Sequence, residues 1–93
     1  MPKIQMKVKF YGSALKYTGG MVSVNMDPKC CPDLHALINE LAKSFGEDFK
    51  QLILGGETWL VLVNAASVKA TGGLNTKLKQ GDIIEVLPII GAG

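Results

Sequence analysis

Gly81-Asp82-Ile83-Ile84-Glu85-Val86-Leu87-Pro88 is the stretch that decides the fold. A turn signal opens it, the apolar run 83–87 predicts a buried strand, and Pro88 ends that strand. The five residues 89–93 then finish in Gly91-Ala92-Gly93, which offers almost no side chain. Extended, these five residues would reach about 16 Å at about 3.3 Å per residue. We expect a flexible tail on a rigid strand, suited to a partner's active site, although a frayed terminus has the same composition.

The bulk composition predicts one domain over residues 1–93, with one small core. Hydrophobic residues make up 47% of the chain and charged residues 19%, which is typical of a globular protein. The net charge is only +2, and all ten basic residues are lysine, so nothing favours nucleic-acid binding. No apolar run approaches the roughly 20 residues that span a membrane. Since the first residues do not resemble a signal peptide, we expect a cytoplasmic protein without a membrane partner.

The two cysteines are neighbours, Cys30 and Cys31. Adjacent Cα atoms lie about 3.8 Å apart, below the usual disulfide range, so a bridge between them is not expected. Without a second cysteine pair or nearby histidines they do not predict a metal site. We expect reduced thiols at the entrance of a helix, with direct handling of sulfur or metal as the alternative. The single histidine, His35, is expected at the surface.

Hydrophobic periodicity predicts the first half of the fold. Alternation over 3–10 and over 22–26 predicts two antiparallel strands, joined by a loop over 11–20. Apolar residues at helical spacing predict the main helix over 32–45, with Pro32 at its first position and Asp33 in its first turn. A short second helix is expected over 47–54.

The second half supplies the rest of a sheet. The unbroken apolar run 59–63 predicts a central strand that is buried on both faces. A short edge strand is expected over 67–69, followed by an irregular segment with Leu74 and Leu78 pointing inward. One sheet with one main helix across it is an α+β roll. With the first strand parallel to the last, and 59–63 on the other side of the last strand, the arrangement is a β-grasp, that is, ubiquitin-like, sheet of about five strands.

Catalytic motifs do not emerge from the sequence. No glycine-rich loop is followed by the lysine and hydroxyl residue of a phosphate-binding loop. No serine has the context of a nucleophile elbow, and the acidic residues are scattered. A fold of this size also has little concave surface for a preorganised site. We therefore expect no enzyme activity, no bound cofactor and no metal, which leaves the tail as the candidate functional element.

Four segments together resemble the MoaD/ThiS family of ubiquitin-like sulfur carriers. The stretch 78–88 with its glycine-rich terminus is similar to the family's carboxyl-terminal signature. Lys7-Val8-Lys9-Phe10-Tyr11 resembles the first strand, Pro32-Asp33-Leu34-His35-Ala36-Leu37 the start of the helix, and Leu62-Val63-Asn64 the strand and turn before the edge strand. The segments occur in the family's order over nearly the whole chain. The small subunit of molybdopterin synthase is the branch that they resemble most.

The resemblance implies a site at the tail. In the family, a ubiquitin-activating-type adenylyltransferase uses ATP and Mg²⁺ to adenylate the terminal glycine carboxylate, and sulfur then gives a thiocarboxylate. That group donates sulfur to a cofactor precursor. By resemblance Gly93 is the modified residue. The partner-binding tail comprises Ile89, Ile90, Gly91 and Ala92, which lie in the partner's channel, and Pro88, which stiffens the exit of the tail from the strand. The second expected partner is a molybdopterin synthase large subunit.

One position departs from the family pattern, which ends in two glycines. Ala92 occupies the penultimate position here. If the bound tail needs a positive φ there, alanine costs about 1–2 kcal/mol, but an extended tail would tolerate it. Two alternatives therefore stay open: a β-grasp interaction module without carrier chemistry, and a carrier of the thiamine pathway. The long segment 47–58 favours the molybdopterin branch over the thiamine branch.

Overall fold

The computed structural model describes residues 5–55, 59–68 and 72–88 of the chain. These residues form a five-stranded mixed sheet and two helices. The strands are β1 (Met6–Phe10), β2 (Ser23–Met26), β3 (Trp59–Val63), β4 (Ala66–Ser67) and β5 (Ile83–Pro88). The helices are α1 (Leu34–Phe45) and α2 (Glu47–Gly55). Short 3-10 turns lie at Gly12–Lys16 and Gly73–Asn75, the first of them inside the predicted loop 11–20.

The strand order across the sheet is β2-β1-β5-β3-β4. β1 pairs with β2 antiparallel and with β5 parallel. β5 pairs antiparallel with β3 on its other side, which confirms the predicted β-grasp arrangement. The last strand is therefore the middle strand of the sheet, held by two neighbours along its length.

The core lies between one face of the sheet and the two helices. Alternate residues of β1, β3 and β5 face inward, because successive side chains of a strand point to opposite faces. The fully buried side chains of this inner face include Met6, Val8, Phe10, Trp59, Ile84 and Val86. α1 covers them with a stripe at helical spacing, formed by Leu34, Leu37, Ile38 and Leu41. α2 adds Phe49 and Ile53.

α1 begins two residues later than the predicted range 32–45. Asp33 has an extended backbone and is the N-cap, and its carboxylate accepts a 2.9 Å hydrogen bond from the Ala36 amide. This bond satisfies an amide that has no partner within the helix, so Asp33 caps the first turn rather than lying in it. Pro32 consequently precedes the cap. The helix ends at Phe45, the predicted last residue, and Gly46 follows it with a φ of +101° that favours glycine.

β3 differs from its prediction in burial. Trp59, Val61 and Val63 are buried, but Leu60 and Leu62 are only half-buried. The predicted burial on both faces is wrong, because the described helices cover only the inner face of the sheet. β3 is an interior strand between β5 and β4, while the central position belongs to β5.

The segment between β3 and β5 also differs from its prediction. The turn after β3 is formed by Asn64 and Ala65, with φ values of +52° and +70°. The edge strand follows at once as Ala66–Ser67, earlier than the predicted 67–69, whose last residue lies outside the described residues. Leu78 is buried as predicted, but Leu74 is 39% exposed, so its predicted inward orientation is wrong. Of the first predicted strand, residues 3 and 4 lie outside the described residues.

Candidate functional site

The candidate site begins at the end of β5, directly before the carboxyl-terminal residues of the chain. β5 continues through Pro88, one residue beyond the predicted strand, and Pro88 stands opposite Trp59 in the register with β3. On the other side, the Tyr11 amide donates a 3.0 Å hydrogen bond to the Val86 carbonyl. The root of the tail, residues 86–88, is therefore paired with β3 up to Pro88 and with the β1 side up to Val86. The predicted tail residues 89–93 lie outside the described residues.

A polar clamp holds the start of β5. The Asp82 side chain is 4% exposed, and its two oxygens accept hydrogen bonds of 2.9 Å from Asn64 Nδ2 and from the Lys79 amide. Asn64 Oδ1 accepts a 3.0 Å hydrogen bond from the Ile83 backbone N–H. The Asn64 backbone N–H donates a 2.8 Å hydrogen bond to the Ile83 carbonyl. Because buried polar groups are costly without partners, this network fixes the position at which β5 enters the sheet.

Aromatic packing supports the end of β5. Trp59 is 2% exposed and stands edge-on to Tyr17 at 5.3 Å between ring centroids, with Phe49 also at 5.3 Å. The indole nitrogen of Trp59 donates a 2.9 Å hydrogen bond to Ser13 Oγ. This satisfies the polar atom of a buried indole. The hydrogen bond to Ser13 therefore holds the Gly12–Lys16 turn beside the root of the tail.

The outer face of the sheet, which α1 and α2 do not cover, continues the site from this root. We define the outer face by Lys7, Lys9, Leu60, Leu62, Ile83, Glu85 and Leu87. Leu60 stands opposite Leu87, one residue before Pro88. Ile83 is 40% exposed, and the leucines are half-buried. The tail root therefore emerges beside a row of apolar side chains that can be desolvated by a partner.

Charged groups flank the apolar row on one side. Glu85 stands opposite Lys9 in β1 and accepts a 2.9 Å hydrogen bond from the Tyr11 hydroxyl. That hydrogen bond raises the pKa of Tyr11 above its ordinary value, because the carboxylate stabilises the neutral phenol. Lys7 and Lys9, with Tyr11, also line an open depression of about 340 Å³. In the described part of the chain, neither lysine takes part in an ion pair.

The remaining sequence candidates lie away from this root. Cys30 is exposed and Cys31 is buried, and both are free thiols in the structure. Burial raises the pKa of the Cys31 thiol to about 11, which keeps it protonated at neutral pH. His35 is exposed, as predicted. Among the residues described, no group of three or more His, Cys, Asp or Glu is placed to hold a metal ion, and no helix is long and apolar enough to cross a membrane.

Alternation in the first strand predicts Lys7 and Lys9 on its solvated face, but sequence reasoning did not identify the apolar residues of the outer face. The available signal was the unbroken apolar run of β3 in a sequence that predicts one main helix and one short helix. If the helices cover one face of the sheet, either residues 59, 61 and 63 or the leucines at 60 and 62 must face outward. The Tyr11–Glu85 hydrogen bond had no sequence signal, because it joins residues that are 74 positions apart.

Comparison with known proteins assigns the chain to a family. The sequence model of the ThiS family matches residues 8–93. The chain belongs to the ThiS family. The match includes both the described β-grasp domain and the predicted tail. A comparison with curated proteins finds no significant match.

Solved structures confirm the fold of this ThiS-family chain. CysO of Mycobacterium tuberculosis is similar with a TM-score of 0.77 and 24% identity, over 91% of this chain and 99% of CysO. Urm1 of Trypanosoma brucei has a TM-score of 0.76 and 23% identity, over 100% of this chain and 99% of Urm1. The molybdopterin-converting factor of Helicobacter pylori 26695, a complex of subunits 1 and 2, has a TM-score of 0.63 and 24% identity, over 96% and 99%. The ThiS-family chain thus has the fold of the ubiquitin-like sulfur carriers.

Proposed function

We propose that this ThiS-family protein is a sulfur carrier whose Gly93 carboxylate is adenylated and converted to a thiocarboxylate, which then donates sulfur in molybdopterin biosynthesis. The observation that carries the proposal is the extent of the family match, which runs through residue 93 and so includes the proposed reacting glycine. The protein acts as a substrate and carrier, and the activating partner supplies the catalysis.

The chemistry of a terminal glycine suits this role. A carboxylate is a poor acyl electrophile. Its oxygen attacks the α-phosphorus of ATP and expels pyrophosphate, so that the carbonyl gains AMP as a leaving group. A hydrosulfide then attacks the carbonyl carbon and expels AMP, which leaves one sulfur in place of one oxygen. Mg²⁺ and ATP belong to the activating partner, and Gly93 has no side chain to hinder either attack.

The geometry of the described residues supports delivery of such a tail. Pro88 leaves the sheet from its middle strand, and β1 and β3 hold that strand on both sides. The tail of residues 89–93 would then start from a rigid point beside the apolar outer face. A partner that covers Leu60 and Leu87 would also place the tail, because the two leucines stand opposite one another at its root.

The partners that we propose are an adenylyltransferase of the ubiquitin-activating type and a molybdopterin synthase large subunit. The Helicobacter pylori structure is a complex of subunits 1 and 2 of a molybdopterin-converting factor, which supports the second partner. α2 occupies most of the long segment that favours the molybdopterin branch over the thiamine branch. The protein would work in the cytoplasm, where both partners and ATP meet.

The test is an intact mass spectrum after incubation with an activating enzyme, ATP, Mg²⁺ and sulfide. The mass of the untreated protein first establishes that Gly93 carries a free carboxylate. We expect a gain equal to the replacement of one oxygen by sulfur, located at Gly93 by fragmentation. Ala92→Gly serves as the matched control for the activating enzyme. If Ala92→Gly gains sulfur and the natural sequence does not, this chain is not a carrier.

The second candidate function is a β-grasp interaction module without carrier chemistry. Ala92 in place of the family's glycine favours it, as does an outer face with apolar side chains that can bind a partner on their own. Removal of residues 92 and 93 separates the two functions. A carrier loses sulfur loading completely, whereas a binding module keeps its affinity for the same partner.

A further inference from the structure

The two edges of the sheet are not equally protected. On one side, β4 is an edge of only two residues. On the other side, β2 presents four residues, Ser23–Met26, with neither a lysine nor a proline among them. Proteins usually block such edges with charges, prolines or very short strands, because an unpaired edge can accept another strand. The β2 edge lacks all three devices.

The register of β2 shows which of its backbone groups face outward. The Phe10 amide donates a 2.9 Å hydrogen bond to the Val22 carbonyl, and Val24 stands opposite Val8. In an antiparallel pair, hydrogen-bonded and non-hydrogen-bonded pairs alternate. The Ser23 and Asn25 backbones therefore direct their N–H and C=O groups away from β1. In the described part of the chain, no strand lies on that side.

A groove runs beside this edge, between β2 and α1. Its volume is about 260 Å³, and Val24, Met26, Leu41 and Phe45 form its apolar lining. This volume lies below the range of about 300–1,000 Å³ for small-molecule sites, so the groove suits individual side chains better than a cofactor. Glu40 and Ser44 of α1 supply the polar part of its rim.

The most exposed apolar side chains of the described residues precede β2 directly. Met21 is 47% exposed and Val22 is 65% exposed, more than any other large hydrophobic residue described. Met21 and Val22 therefore add two exposed apolar residues directly before the four residues of β2. Val22 lines the open depression beside Lys7 and Lys9 and not the groove beside α1, so the exposed pair marks the start of the edge rather than the groove.

From this edge we infer that β2 binds an extended segment of a partner protein by strand addition. The added strand pairs with the outward N–H and C=O groups of Ser23 and Asn25. Two of its apolar side chains, two positions apart, enter the groove beside α1. The Glu40 carboxylate at the rim already pairs with Lys43 Nζ at 3.2 Å, so the strand hydrogen bonds and the apolar pair, not a flanking charge, define the segment. This site is separate from the tail and goes beyond the proposed carrier function.

A second copy of the chain fits the edge less well. Pairing of β2 with β2 of another molecule would involve four residues on each side. Stable interfaces use roughly 20–30 residues on each side. A partner segment needs less area, because the strand hydrogen bonds and the inserted side chains act together.

The test uses a short peptide in which valine alternates with threonine and a lysine stands at each end. It is titrated to millimolar concentration into the full-length, isotope-labelled protein, and amide NMR spectra are recorded. We expect the largest shifts at Ser23, Asn25 and the groove side of α1. A peptide of the same composition with prolines at the pairing positions serves as the ligand control and should not bind.

Two variants test the two parts of the site separately. Asn25→Pro removes an outward N–H without removing a bond to β1, and edge strands tolerate such a proline. We expect it to weaken peptide binding about fivefold or more. Ser44→Trp fills the groove from α1 and should abolish binding, whereas Lys43→Trp, on the neighbouring exposed position, should not. The amide spectrum of each variant reports whether it is folded.

The inference fails if the peptide causes no shift at millimolar concentration or shifts the outer face instead. It also fails if both Asn25→Pro and Ser44→Trp bind as the natural sequence does, or if β2 signals depend on protein concentration without peptide, which would indicate a second copy. A chain without residues 89–93 should bind the peptide unchanged. That result keeps the test independent of sulfur loading.

Discussion

The two ends of β5 are held by different interactions. At its start, the buried Asp82 and the exposed Asn64 form a polar clamp in which each side-chain oxygen of Asp82 has a donor at 2.9 Å. At its end, Trp59 packs against the rings of Tyr17 and Phe49, and its indole N–H donates a hydrogen bond to Ser13 Oγ. Directional hydrogen bonds suit the start, where the register must be set. Non-directional apolar burial suits the end, where the indole of Trp59 is buried against aromatic rings.

This difference teaches where the fold can tolerate change. The polar clamp depends on a few atoms and fails when one partner is lost. The aromatic end depends on volume and should tolerate a smaller aromatic ring better than a cavity. Since the proposed tail starts at the aromatic end, changes there should also affect how Pro88 leaves the sheet.

The largest effect is expected from Trp59→Ala. The variant removes a buried indole and its contacts with Tyr17 and Phe49, so the free energy of unfolding should fall by about 3–5 kcal/mol. Urea denaturation measures the change. Trp59→Phe is the matched control and should cost clearly less, because it keeps a ring in place. A loss below about 1 kcal/mol for the alanine variant would show that the aromatic end is not the stronger anchor.

The next effect is expected at the polar clamp. Asp82→Ala leaves Asn64 Nδ2 and the Lys79 amide without their acceptor and should lower the free energy of unfolding by about 2–3 kcal/mol. Asn64→Gly keeps the positive φ but removes the side chain. A double-mutant cycle of these two changes should give a coupling of about 0.5–3 kcal/mol. Strict additivity would mean that the two residues do not act as one clamp.

Ser13→Ala should have a smaller effect at the aromatic end. It removes the acceptor of the buried Trp59 indole N–H and should cost about 1 kcal/mol in urea denaturation. Ser44→Ala is the matched control, because Ser44 is exposed, and it should change stability by less than about 0.5 kcal/mol. Equal losses of stability in the two serine variants would show that the indole hydrogen bond does not stabilise this end of β5.

The smallest effect concerns the phenol of Tyr11 and is visible only at high pH. The hydrogen bond to Glu85 raises the pKa of Tyr11 above its ordinary value of 10.0, and desolvation and the negative charge of Glu85 act in the same direction. A raised pKa means that this contribution to stability is present below pH 10.0 and is lost as the pH rises through the folded-state pKa.

Spectrophotometric titration of a Tyr17→Phe background isolates the Tyr11 signal. Adding Glu85→Gln should lower the pKa of Tyr11 towards its ordinary value. An unchanged pKa would show that the hydrogen bond at 2.9 Å is not the cause.

Several features of the fold could be predicted because local patterns encode them. Alternation in β1 and helical spacing in α1 predict both elements, since each must bury one apolar face. The placement of β1 and β3 beside β5 agrees with the β-grasp prediction, although the burial of β3 on both faces, from which it was inferred, is wrong. The predicted start of α1 is wrong, because Pro32 is compatible both with the first helical position and with the position before the N-cap. Only the Asp33–Ala36 hydrogen bond decides between these two positions.

The candidate site was predicted less completely. The family signature directed attention to Gly93 and the tail, and the structure adds the surface beside its root. Leu60 and Leu62 belong to a run that is apolar at every position, so the run alone does not reveal which residues stay uncovered. The outer face depends on the number and position of the helices, which is not a local property.

The sequence by itself determined the strands, the helices and the family signature, because period and turn chemistry act over a few residues. Only the tertiary structure decided that Asp82 meets Asn64, that Glu85 meets Tyr11, and that β2 keeps an unprotected edge beside a groove. These features join residues that are distant in the chain. They depend on how the elements pack, and packing is fixed by the shape of the whole core.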